Sequence, residues 1–327
     1  MSTVQRPAAD AAVLCVALNP AIDLTIEVAG LRPGEVNRAR RAQQDAGGKG
    51  INVASCLADY GAGVAVTGQL GRDNPALFAA LFAAKGIADR CLYIDGSTRV
   101  NAKIVDPAQG QTTDINLPGP AQTRAEIDEQ IARLERLIDE LAPALRWAVL
   151  SGSLPPGWPD DVYATLIRRV HANGGRVVLD TSGRALTAAL AAAPEIVKPN
   201  RDELAECLGR PLASAADATA AARELLAAHA GMRLVAVSMG REGAVFVTPD
   251  AALLAHPLDV EPISSVGAGD AMVAGITAAQ LDGLPVDACA RLATAFAAAK
   301  LTRLGPHLPA PATVRSLAEK VGLTRQG

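Results

Sequence analysis

The sequence predicts an α/β protein with a mostly parallel central sheet and helices on both faces. Short apolar runs alternate with longer segments rich in alanine and leucine over most of the 327 residues. Runs that are apolar throughout, instead of alternating with polar residues, are typical of parallel strands covered on both sides by crossover helices. Half of the residues are hydrophobic, which is enough to bury a substantial core.

The individual elements follow from periodicity. The predicted buried strands are VLCVAL (13–18), VAVTG (64–68), WAVLSG (147–152), RVVLD (176–180), EIVKP (195–199) and LVAVS (234–238). The predicted helices between them are 50–60, 74–85, 123–142, 159–173 and 214–230. The clearest amphipathic stripe lies in 123–142, at Ile127, Ile131, Leu134, Ile138 and Leu141.

Two segments break this alternation. Residues 23–40 and 98–117 contain short alternating runs separated by proline and glycine turns, so we expect exposed strands that form a small separate sheet. Such a sheet beside an α/β domain is suited to be a lid or a dimer edge. The predicted organisation is a flexible tail at 1–10 and a single α/β domain at 11–322 with this inserted β lid.

Composition limits the classes of partner. The net charge is −3 and aromatic residues make up 3%, so neither a nucleic acid nor a membrane surface is an expected partner. The first ten residues lack the apolar core of a signal peptide. The five cysteines are scattered and form no C-x-x-C pair, which favours free thiols in a cytoplasmic protein.

The stretch SSVGAGDAMVAG (264–275) carries the strongest chemical signal. Glycine-rich backbone amides at the start of a helix form an anion site, and the helix dipole adds positive charge there. Amides fixed in this way can stabilise a phosphoryl group in transfer, beside Asp270 as a proton acceptor. The alternative is that Asp270 only caps the helix. A dinucleotide fingerprint fails because Met272 stands at its third glycine position.

A second glycine-rich stretch, DAGGKGINVA (45–54), is not a Walker A loop, because Lys49 is followed by glycine. Its glycines allow the backbone to approach a small ligand, while Lys49 can meet an anion and Asn52 a hydroxyl group. The alternative is a plain turn before a helix. Further along the chain, SMGREG (238–243) fits either a nucleotide contact or a hairpin turn.

Two further groups of polar and charged residues are candidates for ligand binding. In VKPNRDE, Asn200 and Glu203 have i, i+3 spacing and suit a Mg²⁺ shell made largely of water and phosphate oxygens, although a helix cap explains them too. In the two segments of the predicted lid, Arg38, Arg99 and Lys103 could hold a phosphate ester. The alternative is that these cations are solvated charges on an edge strand.

An ordered series of motifs resembles the ribokinase-type (PfkB) sugar kinases along nearly the whole chain. The matching motifs are LNPAID (18–23), GGKGINVA (47–54), TRVNAK (98–103), SGSLPPG (151–157), LDTSG (179–183), VKPNRDEL (197–204), SMGREGA (238–244) and VGAGDAMVAG (266–275). The resemblance implies the ribokinase-like α/β fold with its small β-sheet lid, and an enzyme that transfers a phosphoryl group from ATP to a sugar.

The resemblance also implies roles for particular residues. Asp270 would be the general base, and the backbone of Gly267, Ala268 and Gly269 the anion hole. The residues expected on the sugar phosphate are Asp23, Gly48, Lys49, Asn52 and Asn101, with Arg99, Arg38 and Lys103 for its phosphate. The residues expected on ATP are Lys198, Asn200, Glu203, Ser238, Gly240 and Gly243, with Glu203 holding Mg²⁺ through water.

Some members of the family bind a monovalent cation such as K⁺ before the GAGD motif. Here Ser264 and Val266 would be involved, but residues 301–312 depart from the small-residue glycine pattern expected of that site. The resemblance further implies a homodimer formed through the lid.

The motifs also bear on the substrate. TRVNAK followed by TTDIN resembles the 1-phosphofructokinases, which favours fructose 1-phosphate as the acceptor. GGKG is shared with tagatose-6-phosphate kinases, and fructose 6-phosphate also stays open. The alternative from another class is a non-catalytic sugar-phosphate sensor with the same fold.

Overall fold

A computed structural model describes residues 11–261, 263 and 267–327. The predicted tail at 1–10 and the predicted cation ligands Ser264 and Val266 lie outside the described residues.

The described strands and helices alternate as expected for an α/β protein. The strands are β1 (Val13–Ala17), β2 (Ala21–Glu27), β3 (Arg41–Gly47), β4 (Val64–Gly71), β5 (Ala88–Asp89), β6 (Leu92–Ile94), β7 (Val100–Asp106), β8 (Gln111–Ile115), β9 (Trp147–Ser151), β10 (Arg176–Asp180), β11 (Ile196–Val197), β12 (Leu234–Ser238), β13 (Ala244–Val247), β14 (Ala252–Ala255) and β15 (Leu323–Arg325). The helices are α1 (Lys49–Tyr60), α2 (Ala76–Lys85), α3 (Arg124–Leu141), α4 (Val162–Ala172), α5 (Gly183–Leu190), α6 (Arg201–Leu208), α7 (Ala215–Ala228), α8 (Ala268–Leu281), α9 (Val286–Leu301) and α10 (Pro311–Lys320).

The main sheet has the order β15-β14-β13-β12-β11-β10-β9-β1-β4-β5, with β6 also paired to β4. The strands from β12 to β5 run parallel, whereas β13, β14 and β15 extend the sheet antiparallel. All six predicted strands belong to this sheet, so the predicted fold class is confirmed. The strand predicted at 195–199 is shorter than expected, because β11 covers only Ile196–Val197. The predicted domain end at position 322 falls just before β15.

The core lies on both faces of the main sheet. Alternate residues of β1 point to opposite sides: Leu14 and Val16 join the cluster that packs under α3, α4 and α7. Val13 and Cys15 join the cluster under α1, α8 and α9. The stripe predicted in 123–142 packs on the first of these clusters, with Ile131 at its margin. This double burial explains why the strands read as continuous apolar runs.

A second sheet has the order β3-β2-β7-β8, and we call it the small sheet. Its strands β7 and β8 lie within the predicted segment 98–117, and β2 overlaps the start of 23–40. The prediction of strand for the rest of 23–40 is wrong, because this part forms a loop. The Asn37 side chain closes the loop by accepting a hydrogen bond from the Arg32 amide and donating one to the Arg32 carbonyl. The partner strand is β3, so the glycine stretch at 45–54 begins inside a strand and not in a free loop.

Three further properties concern the cysteines, the helix lengths and the grouping of metal-binding side chains. The five cysteines are free thiols, and Cys15, Cys56 and Cys289 are buried. In the part of the chain that the structure describes, no helix is both long and apolar enough to cross a bilayer. Within the same residues, no three His, Cys, Asp or Glu side chains are grouped so that they could hold a metal ion.

Candidate active site

A cleft of about 400 Å³ separates the small sheet from the carboxyl ends of the parallel strands. This is where a parallel sheet places its ligands, because crossover loops converge there. Its lining includes nine of the predicted site residues, namely Asp23, Gly48, Lys49, Asn52, Arg99, Asn101, Lys103, Glu203 and Asp270. Other lining residues that the sequence left without a role include Asn19, Asp114, Asn116, Ser151 and Ser153.

Asp270 lies in the first turn of α8 and is 8% exposed. Its Oδ2 accepts a 2.7 Å hydrogen bond from Nδ2 of Asn52, which α1 contributes from the other end of the chain. The helix is capped by the backbone of Gly267 at φ 79°, a conformation that favours glycine, and not by the Asp270 side chain. The capping alternative for Asp270 is therefore wrong.

The backbone at the start of α8 leaves amide groups outside the hydrogen bonds of the helix. The first intrahelical bond runs from the Ala271 amide to the Gly267 carbonyl, so the amides of Ala268, Gly269 and Asp270 precede the helical ladder. The Nζ atom of Lys198 lies 3.7 Å from where a Cβ on Gly269 would stand. The amides, the helix dipole and this ammonium group together favour negative charge beside Asp270.

Asp180, at the end of β10, is the ionic centre of the site and is 1% exposed. Its Oδ1 lies 3.3 Å from Nζ of Lys49 and 3.4 Å from Nζ of Lys198, and its Oδ2 accepts a 3.2 Å hydrogen bond from the Ser151 hydroxyl. Lys49 also reaches Glu203, with 3.8 Å between Nζ and Oε1. Two lysines, one at the start of α1 and one just after β11, are thus held at one carboxylate.

The two buried carboxyls have opposite pKa shifts. Burial and the negative charge of Asp180 raise the pKa of Asp270 from 3.8 to about 6, although Lys49, Lys198 and the Asn52 amide lower it in part. Burial alone would also raise the pKa of Asp180, but the ammonium groups of Lys198 and Lys49 outweigh it and lower that pKa. Asp180 is the permanent charge, and Asp270 is the group that can exchange a proton near neutral pH.

The glycine stretch before α1 is needed for close packing. Gly48 has φ 104°, and a Cβ there would stand 2.8 Å from Cα of Pro20. A Cβ on Gly50 would stand 2.8 Å from the Val16 carbonyl oxygen. These contacts bring the start of α1 against β1 and direct Lys49 and Asn52 into the cleft.

The small sheet contributes a polar row to the same cleft. Asp23 on β2 stands opposite Asn101 on β7, and the Asn101 amide nitrogen donates a 3.3 Å hydrogen bond to the Asp23 carboxylate. Lys103 lies 2.9 Å from Asp114 on β8. Burial raises the pKa of Asp23, while Asn101 and the cations Lys103 and Arg99 lower it in part.

The two predicted arginines differ from Lys103. The Arg99 guanidinium donates to three backbone carbonyls: to Asn19 at 2.8 Å, to Pro20 at 3.2 Å and to Leu117 at 2.7 Å. It lines the cleft, but much of its hydrogen-bonding capacity joins the small sheet to the β1–β2 connection. Arg38 is exposed on the loop between β2 and β3 and is not among the cleft-lining residues.

Asn200 and Glu203 form a capping box at the start of α6. Oδ1 of Asn200 accepts from the Glu203 amide, and Oε2 of Glu203 accepts from the Asn200 amide, both at 2.8 Å. The cap alternative therefore describes Asn200, whereas Glu203 keeps its second oxygen toward Lys49 and the cleft. A single carboxylate oxygen at the cleft, here Oε1 beside Lys49, fits a Mg²⁺ ion held through water and phosphate oxygens, not one enclosed by protein ligands.

The SMGREG stretch is a turn between the antiparallel strands β12 and β13. Gly240 and Gly243 have φ values of 58° and 92°, as such a turn requires. None of Ser238, Gly240 and Gly243 lines the cleft, but the Ser238 amide bonds the Pro199 carbonyl at 3.1 Å. The turn therefore lies beside Asn200, next to the cleft.

Comparison with known proteins identifies the family. Residues 12–313 match the family model described as the pfkB family of carbohydrate kinases. The chain belongs to that family. It is 51% identical to the 1-phosphofructokinase of Rhodobacter capsulatus over 94% of this chain and 95% of the relative. It is 50% identical to the 1-phosphofructokinase of Xanthomonas campestris pv. campestris over 94% and 96%.

A solved structure of a pfkB-type enzyme has the same fold. Phosphofructokinase-2 from Escherichia coli in complex with potassium aligns with a TM-score of 0.85 and 28% identity, covering 94% of this chain and 98% of that one. The sugar-kinase fold that the motifs implied is thereby confirmed, and the chain is a carbohydrate kinase.

The functional residue that sequence reasoning missed is Asp180. It was visible inside the LDTSG motif, at the carboxyl end of a predicted strand, where ligands and polar groups gather. What could not be read was its pairing with Lys49, 131 residues away in the chain.

Proposed function

We propose that this pfkB-family kinase transfers the γ-phosphoryl group of ATP to the 6-hydroxyl of fructose 1-phosphate, giving fructose 1,6-bisphosphate and ADP. The observation that carries the proposal is Asp270: a buried carboxyl, with its pKa raised to about 6, beside the free amides of α8 in a polar cleft. The names of the two half-identical relatives support fructose 1-phosphate as the acceptor.

Asp270 is assigned the role of general base. Its carboxylate takes the proton of the sugar hydroxyl as the oxygen attacks the γ-phosphorus in line. A new phosphorus–oxygen bond forms to the sugar, the bond to the bridging oxygen breaks, and ADP leaves with that electron pair. The Asn52 amide, 2.7 Å from Oδ2, holds the carboxylate in its orientation and favours the ionised form that must accept the proton.

The amides of Gly267, Ala268 and Gly269 are assigned as the anion hole. Donors fixed by the helix need no reorganisation when negative charge develops on the phosphoryl oxygens. Lys198 adds positive charge beside Gly269 and is itself held by Asp180. Asp180 thus acts as a positioning residue, because it fixes the two ammonium groups without facing the acceptor.

The nucleotide side comprises Lys198, Asn200, Glu203 and the turn at Ser238, Gly240 and Gly243. Glu203 would hold Mg²⁺ through water by its second carboxylate oxygen, and Asn200 would orient it as the other half of the capping box. Bound Mg²⁺ would neutralise charge on the phosphate oxygens of ATP.

The sugar-phosphate side comprises Asp23, Asn52, Asn101 and the backbone at Gly48, with Lys103 and Arg99 for the 1-phosphate. Asp23 and Asn101 can share hydrogen bonds with sugar hydroxyls because both line the cleft on one face of the small sheet. Lys103 is paired with Asp114 at the cleft wall, from which its ammonium can turn to a phosphate. Lys49, already bound to Asp180, contributes charge to the site.

The small sheet is assigned as a lid and as a dimer surface. Asp23, Thr25 and Lys103 line the cavities beneath it, so the alternate residues Leu24, Ile26 and Ile104 lie on its other face. These half-buried apolar residues suit pairing with a second copy of the chain. The mass of the protein in solution, measured by light scattering, tests the dimer, and Ile104→Lys should yield monomers.

ATP consumption with a panel of acceptors tests the proposed function. The panel contains fructose 1-phosphate, fructose 6-phosphate, tagatose 6-phosphate and unphosphorylated fructose, with Asp270→Asn as the inactive control. The proposal requires the highest kcat/KM with fructose 1-phosphate. A preference for either 6-phosphate would make that sugar phosphate the substrate in place of fructose 1-phosphate, and binding without ADP formation would indicate a sensor.

The free thiols favour a reducing compartment, and we place the reaction in the cytoplasm.

A further inference from the structure

Lys300 is a buried cation that the proposed mechanism does not use. It lies in the last turn of α9 and is 3% exposed. Its Nζ donates a 3.2 Å hydrogen bond to the Arg303 carbonyl, in the loop that follows the helix. A buried ammonium group has three donors to satisfy, so this position is costly without further partners.

The side chain of Lys300 lies beside the start of α8. Around the position that a Cβ on Gly267 would take, Cε of Lys300 is 3.2 Å away, and Nδ2 of Asn52 and Oδ2 of Asp270 are each 3.9 Å away. Lys300 also lines a cavity of about 340 Å³ that adjoins the cleft and shares Asp23, Asn52 and Lys103 with it. The ammonium group is therefore next to the proposed anion hole.

Within the part of the chain that the structure describes, no carboxylate lies within 4 Å of the Lys300 ammonium, and Arg303 supplies its one hydrogen-bond acceptor. Burial lowers the pKa of Lys300, while the more distant charges of Asp270 and Asp45 favour its protonated form. A lysine held in this way neutralises the site as a whole and not one particular acid.

The same place can be tested for its fit to a bound monovalent cation, which needs several oxygen ligands. The Arg303 carbonyl already accepts from Lys300, and the Leu301 carbonyl accepts a 2.7 Å hydrogen bond from the Ile263 amide. This loop belongs to 301–312, the segment whose sequence departs from the pattern expected of a cation site. The Arg303 carbonyl thus already holds a cation, the Lys300 ammonium, and two positive charges at one carbonyl would repel each other, so among the described residues this oxygen does not fit a potassium ligand.

We propose that the Lys300 ammonium is the chain's own monovalent cation at the start of α8, so that this kinase works without bound potassium. It is a positioning residue: its charge stabilises the Gly267 turn and the loop after α9, and through them the amides of the anion hole. The effect on turnover rests on the proposed kinase function, whereas the effect on cation binding does not.

The first measurement uses the unaltered protein. Turnover is compared in KCl and in choline chloride at a constant ionic strength of about 0.1 M, with potassium-free nucleotide. The proposal expects the same kcat in both salts. A several-fold gain in KCl alone would overturn it, because it would show that a bound ion is still required.

The second measurement uses Lys300→Ala, which opens space for an ion, with the exposed Lys320→Ala as matched control. In choline chloride, Lys300→Ala should lose about 10- to 100-fold in kcat, as is usual when a group that orients functional ligands is removed. Potassium or ethylammonium ions should restore much of that loss, while the control stays unaffected by either. A folded variant that neither ion rescues would overturn the cation role.

The third measurement is independent of catalysis. Melting temperature is recorded in both salts, because an ion that binds the native state raises it by mass action. A rise specific to potassium is expected for Lys300→Ala and not for the unaltered protein. The reverse pattern would overturn the proposal. If Lys300→Ala does not fold, Lys300→Ser, which also leaves space for an ion, replaces it, and its potassium-specific rise is read in the same way. Loss of all turnover in the unaltered protein would instead count against the kinase function.

Discussion

Asn52 on α1 and Asp270 on α8 are joined by a 2.7 Å hydrogen bond across 218 positions of the sequence. This contact links the glycine stretch that precedes α1 to the glycine turn that precedes α8. It also fixes the orientation of the Asp270 carboxylate, because Asn52 holds its Oδ2 atom. Both motifs therefore serve one carboxylate.

The raised pKa of Asp270 predicts an acidic limb in the pH profile. Only the ionised carboxylate can accept the hydroxyl proton, so kcat/KM should fall about tenfold per pH unit below about 6. Initial rates at saturating ATP, measured across this range in buffers of equal ionic strength, provide the check. A flat profile down to the ordinary value of 3.8 would contradict the assignment of the base.

Asn52→Ala should move this limb to higher pH. The Asn52 hydrogen bond favours the ionised form of Asp270, so its removal raises the pKa of that carboxyl further. The measurement is the midpoint of the limb in the variant and in the unaltered protein. A loss of turnover with an unmoved midpoint would mean that Asn52 binds only the sugar.

Asp270→Asn should lose activity and gain stability at neutral pH. General-base catalysis contributes about 10²- to 10⁴-fold, so kcat should fall by that order while the substrates still bind. The stability follows from linkage. Below 3.8 the carboxyl is protonated in both states and costs nothing, and the cost of its burial appears as pH rises to about 6.

The rise of the Asp270 pKa from 3.8 to about 6 corresponds to a loss of folding stability of about 3 kcal/mol at most, and this loss is fully present above about pH 6. The test is urea unfolding of Asp270→Asn and of the unaltered protein at about pH 8 and at about pH 4. The free energy of unfolding should be higher for the variant at about pH 8 and equal for the two proteins at about pH 4. Equal stability at both values would show that Asp270 is not buried as an ionised group.

Asp180→Asn should have the opposite effect on stability. Asp180 is 1% exposed and holds two lysines, so its removal leaves Lys198, itself 3% exposed, without its carboxylate. Breaking a buried pair by removing one partner costs about 3–5 kcal/mol. Chemical unfolding at neutral pH is the measurement, and Asp160→Asn, in an exposed pair with Arg184, is the control expected to change little. A small loss for Asp180→Asn would contradict its role as the ionic centre.

These residues also separate what the sequence could predict from what it could not. The six main strands, the amphipathic stripe of α3 and the glycine start of α8 depend on local pattern, and the sequence predicted them. The pairing of Asp180 with Lys49 and Lys198 depends on which loops meet at the sheet edge, which local pattern does not encode. Arg99 was predicted as a phosphate ligand, and its hydrogen bonds to three backbone carbonyls were not predicted. Every residue has a backbone carbonyl, so the sequence does not indicate which carbonyls an arginine will meet.

The contrast between Lys103 and Arg99 gives the last prediction. Lys103 pairs with the half-exposed carboxylate of Asp114 and borders the cleft, so Lys103→Met should weaken binding of the sugar phosphate without unfolding the protein. Loss of a charged hydrogen bond worth about 1.5–3 kcal/mol raises KM for fructose 1-phosphate by about 10- to 100-fold. The KM for ATP should stay the same, because Lys103 lies on the sugar side.

Arg99→Ala should instead change two properties together. It deprives the carbonyls of Asn19, Pro20 and Leu117 of their donor, so both the melting temperature and the affinity for fructose 1-phosphate should fall. Calorimetry and steady-state kinetics on the two variants, with Lys320→Met as the control for a surface charge, separate the effects. If Arg99→Ala raised KM at an unchanged melting temperature, the guanidinium would be a free phosphate ligand, and its backbone contacts would contribute little to the attachment of the small sheet.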